Sequence, residues 1–209
     1  MDTKERIIDS AIRLFNAHGT TAISTNHLAE ALAMSPGNLY YHFRNKEEII
    51  RAILERMILR WEPLYRLPED RAPMLADLQQ LVRENFWLVW DYRFFYRELS
   101  VLVQRDPALK QRYQEIRRER LATFEALFGH FVSAGVASSP VSPGFVAGLA
   151  KLCWLISDYW LTFLEIDGEL VMPDMIEQGV ALLMQVLHPY LREVEQSSPS
   201  QFTQGTNKG

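Results

Sequence analysis

The sequence predicts an all-α protein in which a small N-terminal helical domain leads into a larger helical one. Three observations carry that expectation. Apolar residues recur at helical spacing along most of the 209 residues, and no sustained two-residue alternation marks a strand. A stretch with three prolines, EPLYRLPEDRAP at 62–73, interrupts the pattern and places a boundary between two unequal parts.

The elements follow in order. Ile7, Ile8, Ala11, Leu14 and Phe15 form one apolar stripe, and Gly19 is a C-terminal stop. Thr25 or Ser24 caps a short second helix whose Leu28, Ala29 and Leu32 face inward, ending near Ala33. Ser35 suits an N-cap and Pro36 a first helical position, where a missing N–H costs nothing. This third helix turns Leu39 and Phe43 inward, which leaves Pro36, Gly37, Asn38, Tyr40, Tyr41 and His42 facing elsewhere. Asn45 caps a fourth helix with Glu47 and Glu48 at its positive end and Ile49, Ile50, Ile53, Leu54 and Met57 along one face. Beyond the proline-rich connection, helices are expected at 74–92, 93–104, 107–134, 142–166 and 173–193. The resulting domains are 1–52, 53–194 and a polar tail, 195–209, expected to be disordered.

Composition narrows the function. No run of eighteen apolar residues occurs and the N-terminus is polar and charged, so neither a membrane span nor a signal peptide is expected and the protein should be cytoplasmic. The single cysteine, Cys153, excludes a disulfide framework or a multi-cysteine metal site and reads as a small buried residue. No metal and no cofactor is expected. The net charge of −4 excludes nonspecific coating of nucleic acid, and within 1–52 six basic residues, Lys4, Arg6, Arg13, Arg44, Lys46 and Arg51, are balanced by six acids. Any DNA contact must be local.

Two short helices joined by a tight turn, the second presenting polar groups from its N-terminal end, match a helix-turn-helix whose second helix enters the major groove. Gly37 allows close backbone approach. Tyr40, Tyr41 and His42 pair an apolar body with a hydrogen-bonding tip suited to phosphate oxygens or a thymine methyl. Residues 7–50, through AIRLFNAHGTTAIST and LAEALAMSPGNLYYHFRNKEEI, resemble the DNA-binding domain of the tetracycline-repressor-like (TetR/AcrR) family. The sequence departs from the family pattern at Ala33-Met34, where Gly-Val is usual, and at Asn26-His27, where Arg or Asp precedes an apolar residue. The resemblance implies DNA contacts from Thr25, Asn26, Pro36, Gly37, Asn38, Tyr40, Tyr41, His42 and Lys46. It also implies a homodimer on double-stranded operator DNA and a small-molecule effector of unknown identity that weakens DNA binding.

In the larger part, Leu149, Leu152, Ile156, Tyr159 and Phe163, then Ile176, Val180, Leu183, Met184 and Leu187, fall at helical spacing and are assigned to the dimer interface. Trp87, Trp90, Phe94, Phe95, Trp154 and Asp158 are assigned to a ligand pocket. The basic stretch 110–120 reads as a solvated helix face with Glu115 and Glu119 as partners. No catalytic residue is assigned and no enzyme is expected: the sequence has no Gly-rich phosphate loop, no Gly-x-Ser-x-Gly and no His-Glu-x-x-His. The rival reading is a helical interaction protein, or an enzyme, that keeps the fold without operator binding. It would tolerate substitution of Tyr41 and His42.

Overall fold

A computed structural model describes residues 2–139, 142 and 144–192, and these are helical throughout apart from loops and one isolated bridge, Ala137 to Leu191. The tail at 195–209 lies outside the described residues. No helix among the described residues is long and apolar enough to cross a membrane.

Helix α1 (Thr3–Ala22) buries Ile7, Ile8, Ala11 and Phe15, the stripe read from the sequence. Gly19 breaks it: φ 77° and ψ 161° belong to a region open in practice only to glycine, so the residues after it form a separate turn. In α2 (Thr25–Ala31) the Ser24 side chain accepts from His27 N–H, and Ser24 N–H donates back to His27 Nδ1, a capping box with histidine in place of glutamate. The turn that follows is a Schellman motif: Met34 N–H donates to Ala29 O and Ala33 N–H to Glu30 O, each at 3.0 Å. Ala33 therefore takes the left-handed position, φ 52°, that usually falls to glycine. Helix α3 (Pro36–His42) is capped by Ser35 and α4 (Lys46–Trp61) by Asn45, as the sequence indicates.

A 3-10 turn, Glu62–Tyr65, prolongs α4. Helices α5 (Leu75–Asp91), α6 (Arg93–Arg105), α7 (Pro107–Ser133), α8 (Phe145–Ile166) and α9 (Met175–Leu187) then build the larger part. The last helix is shorter than expected. Pro189 has no N–H with which to continue the α-helical ladder, so the chain passes into a 3-10 turn, His188–Tyr190.

The two parts share one core. Ile7, Phe15, Leu28, Leu39, Ile49 and Ile53 pack in the same cluster as Tyr92, Phe94 and Phe95, with the Phe15 and Phe94 rings 5.2 Å apart. Polar bonds fasten the same seam. Asn16 Nδ2 donates to Asp91 O at 2.7 Å while Phe94 N–H donates to Asn16 Oδ1 at 3.0 Å. Glu98 on α6 accepts from both the Thr20 N–H and the Thr20 hydroxyl. Asp106 caps α7 through Ala108 and Leu109 N–H and also takes Arg51 of α4 at 2.5 Å. A second cluster, with Val82, Phe86, Leu149, Cys153, Ile176 and Val180, joins α5, α8 and α9.

Candidate nucleic-acid interface and interior cavity

On α3, Pro36, Gly37, Asn38, Tyr40 and Tyr41 are exposed, and only Leu39 is buried within the helix. Tyr41 stands out at 84% exposure, its ring edge-on to His42 with centroids 5.2 Å apart. An aromatic left this open is suited to an external partner. Asn26 is exposed in the first turn of α2, where Thr25 Oγ1 lies 3.1 Å from Tyr40 Oη and ties the two helices together at the surface. Lys46 departs from the expectation. Its ammonium donates to Thr20 O and, at 3.0 Å, to Ile23 O, closing the end of α1, because these carbonyls have no helical partner and lie within its reach.

The residues assigned to a pocket are mostly not at one. Phe94 and Phe95 are fully buried in the shared core, because the α5–α6 junction turns its aromatic run toward α1. Trp90 packs between the two clusters under the Arg93 guanidinium, 4.4 Å from its ring centroid. Trp87 is exposed. Trp154 alone of the six lines an interior cavity, of about 70 Å³, bounded by α5, α7, α8, α9 and the turn after α4. Asp158 is close by but spent on Arg117 Nη1 at 3.1 Å. Burial pushes its carboxyl above the ordinary carboxylate range against the pull of Arg120 and Arg117. Burial, then Asp158, lifts the Tyr113 hydroxyl to about 12, and burial lifts the Cys153 thiol to about 12, consistent with a packing role.

Only part of the basic stretch on α7 is a solvated face: Lys110 and Arg118 are exposed and Arg112 reaches Glu115 at 3.7 Å. Arg112 pairs with Glu55 at 2.7 Å, but Arg117 and Arg120 turn inward. The Arg117 guanidinium lies 4.0 Å from the Trp154 ring centroid, and that of Arg120 4.0 Å from Trp61, the last residue of α4. Sequence reasoning missed Arg120, Tyr65 and Asn85 as cavity residues. One signal was available: Tyr113, Arg117, Arg120, Phe124, Leu127 and Phe131 recur three or four apart, which sets the two arginines on an otherwise apolar stripe.

The assigned interface divides in two. Leu149, Ile176, Val180, Leu183 and Leu187 are buried within the protomer, and Ile156 and Met184 pack against them, because α8 and α9 cover each other and α5. Leu152, Tyr159 and Phe163 are exposed, and Leu155 and Ile166, which were not assigned, complete the stripe at 67% and 68% exposure. Helix α8 is thus apolar on both sides, one facing its own core and the other uncovered.

Comparison with known proteins places this architecture. Residues 7–53 match the family model described as "Bacterial regulatory proteins, tetR family", and residues 44–198 match that described as "Bacterial transcriptional repressor". A crystal structure of a TetR-family transcriptional regulator from Marinobacter aquaeolei VT8 is 35% identical over 92% of each chain, with a TM-score of 0.82. Among curated proteins, the chain is 29% identical over 104 residues to the HTH-type transcriptional regulator QacR of Staphylococcus aureus, covering 50% of this chain and 48% of that protein. It is 28% identical over 122 residues to TtgR of Pseudomonas putida, covering 57% of each. The chain thus spans about half the length of the curated relatives it matches. With a helix-turn-helix at its head, a helical body behind it and family models matched over both, the chain belongs to the TetR family of bacterial transcriptional regulators.

Proposed function

We propose that the chain binds a pseudo-palindromic operator as a homodimer, each subunit setting α3 in the major groove, and acts as a ligand-responsive repressor. Tyr41 carries the reading, being the most exposed aromatic on a helix whose neighbours Pro36, Gly37 and Asn38 are also open. Thr25, Asn26, Tyr40 and His42 complete the contact surface, and Lys46 supports it from behind. The α8 stripe from Leu152 to Ile166 supplies the self-complementary patch that a two-fold dimer needs. Two domains divide the work: 1–52 reads DNA, and 53–194 dimerises and holds the effector. Filling the cavity displaces α4 and changes the separation of the two α3 helices, which must fit half-sites about one helical turn apart.

The test is an electrophoretic mobility shift against the DNA upstream of the protein's own gene, with a salt series and excess unrelated DNA. A discrete shift should survive competitor. Tyr41→Ala should weaken it by about tenfold or more, the value of one or two lost polar and apolar contacts, with the dimer intact. Unchanged affinity would remove Tyr41 from the interface.

A further inference from the structure

The interior cavity has a chemical asymmetry. Its walls are hydrocarbon and aromatic, from residues such as Leu81, Phe124 and Leu183, and Arg120 is the one charged residue among the described residues that line it. No carboxylate does. Asp158, next to the lining residue Ser157, is bonded to Arg117. Arg120 Nη2 donates to the Tyr65 hydroxyl, while Arg120 Nε is shut off from solvent without a hydrogen-bond partner. A second orphan belongs to another residue of the lining: Asn85 Oδ1 is buried and unpartnered. A half-turn of that amide would present Nδ2 instead, a further donor. Buried groups of this kind are costly until something bonds them, and a guanidinium more than most.

We infer that the cavity takes an apolar molecule bearing a single anionic group, a carboxylate or phenolate, which the Arg120 guanidinium binds. Lipophilic cations are disfavoured by the same lining. At about 70 Å³ the cavity is smaller than the ~300–1,000 Å³ of ordinary ligand pockets, so a ligand must part its walls. The wall that Arg120 touches is the turn that prolongs α4. It stacks on Trp61 and bonds Tyr65, and a guanidinium drawn toward an anion gives up part of that hold.

The inference rests on the cavity being the effector site, and its test is separate from that of DNA binding. The full chain is titrated by calorimetry with octanoate, 1-octanol and octylammonium, which share a tail and differ in charge. Octanoate should bind about tenfold tighter than either of the others, the worth of one charge-assisted hydrogen bond. Arg120→Gln should abolish that advantage and leave 1-octanol binding in place. Equal or tighter binding of 1-octanol or octylammonium to the wild type would overturn the assignment, as would undetectable octanoate binding. So would an octanoate preference that survives in Arg120→Gln. If that variant fails to fold, the wild-type comparison still decides. A gel shift of the ligand-free protein tests operator binding independently, so either reading can fail alone.

Discussion

Replacing Gly179 by alanine sets two effects of opposite sign against each other. Gly179 lies in the interior of α9, where helix propensity alone would favour alanine by about 1 kcal/mol. Packing opposes it. A Cβ at this position would stand 2.5 Å from Phe86 Cε1, 2.6 Å from Trp160 Cδ1 and 2.9 Å from Trp160 Nε1. Carbon atoms in contact sit at ~3.5–4.0 Å, so the Phe86 ring would have to retreat by about 1 Å. It has nowhere to go, being fully buried on α5, and Trp160 is pinned by its Nε1, which donates to Met175 O at 3.0 Å. Overpacking costs ~1–3 kcal/mol, and two obstructed rings put this case at the upper end. The net loss is about 2 kcal/mol, a fall in Tm of ~4–8 °C for a chain of this size. The assay is thermal unfolding followed by circular dichroism at one protein concentration, since self-association makes Tm depend on it. Gly129→Ala is the control: at an exposed position of α7 with nothing within 4 Å of a new Cβ, it should gain up to about 1 kcal/mol. A Gly179→Ala protein as stable as the wild type, or more so, would refute the reasoning.

Other expectations follow from the same geometry. Ala33→Gly should raise stability by up to about 1 kcal/mol, since relief of a left-handed alanine, ~1–2 kcal/mol, exceeds the added freedom of the unfolded chain; denaturant unfolding measures it, and a loss would contradict the turn geometry. Leu155→Glu combined with Ile166→Glu should give a folded monomer in sedimentation velocity, whereas a persisting dimer would move the interface off this face of α8. Bonds from Arg71, then from Met74 N–H, lower the Asp77 carboxyl from 3.8 to about 2. Its contribution to stability is therefore present above pH 3.8 and lost as the pH falls toward 2, and Arg71→Ala should raise the midpoint in a carboxyl carbon NMR titration.

Much of the N-terminal part was legible because its signals are local. Ser35, Pro36 and Asn45 each specify a helix start within a few residues, and the Leu39–Phe43 spacing fixes which side of α3 is left outward. Lys46 was not legible as a support for α1, because the carbonyls it binds, Thr20 and Ile23, are set by a chain reversal that no spacing rule encodes. The larger part was misread where apolar periodicity has two possible destinations. Leu149 and Leu152 belong to the same pattern, yet one enters the protomer core and the other faces out. Aromatic density at 92–96 likewise indicated burial without saying against what, and the answer was α1. Arg117 and Arg120 were placed in solvent by their charge, although their spacing put them in the stripe that faces Asp158 and the cavity.

The internal engagement of Lys46 bears on how such a regulator shares a genome with all other DNA. Of the six basic residues in 1–52, Lys46 is already held by carbonyls and Arg51 by Asp106. Affinity for arbitrary sequence comes almost wholly from displacing ions from the duplex, with each neutralised phosphate adding about 0.9 to the logarithmic salt slope. With α3 reading DNA as proposed, a head composed chiefly of hydroxyls, amides and aromatic rings would have little hold on random DNA. Fewer copies would then be sequestered on the chromosome, and a small cellular pool would suffice to keep one operator occupied.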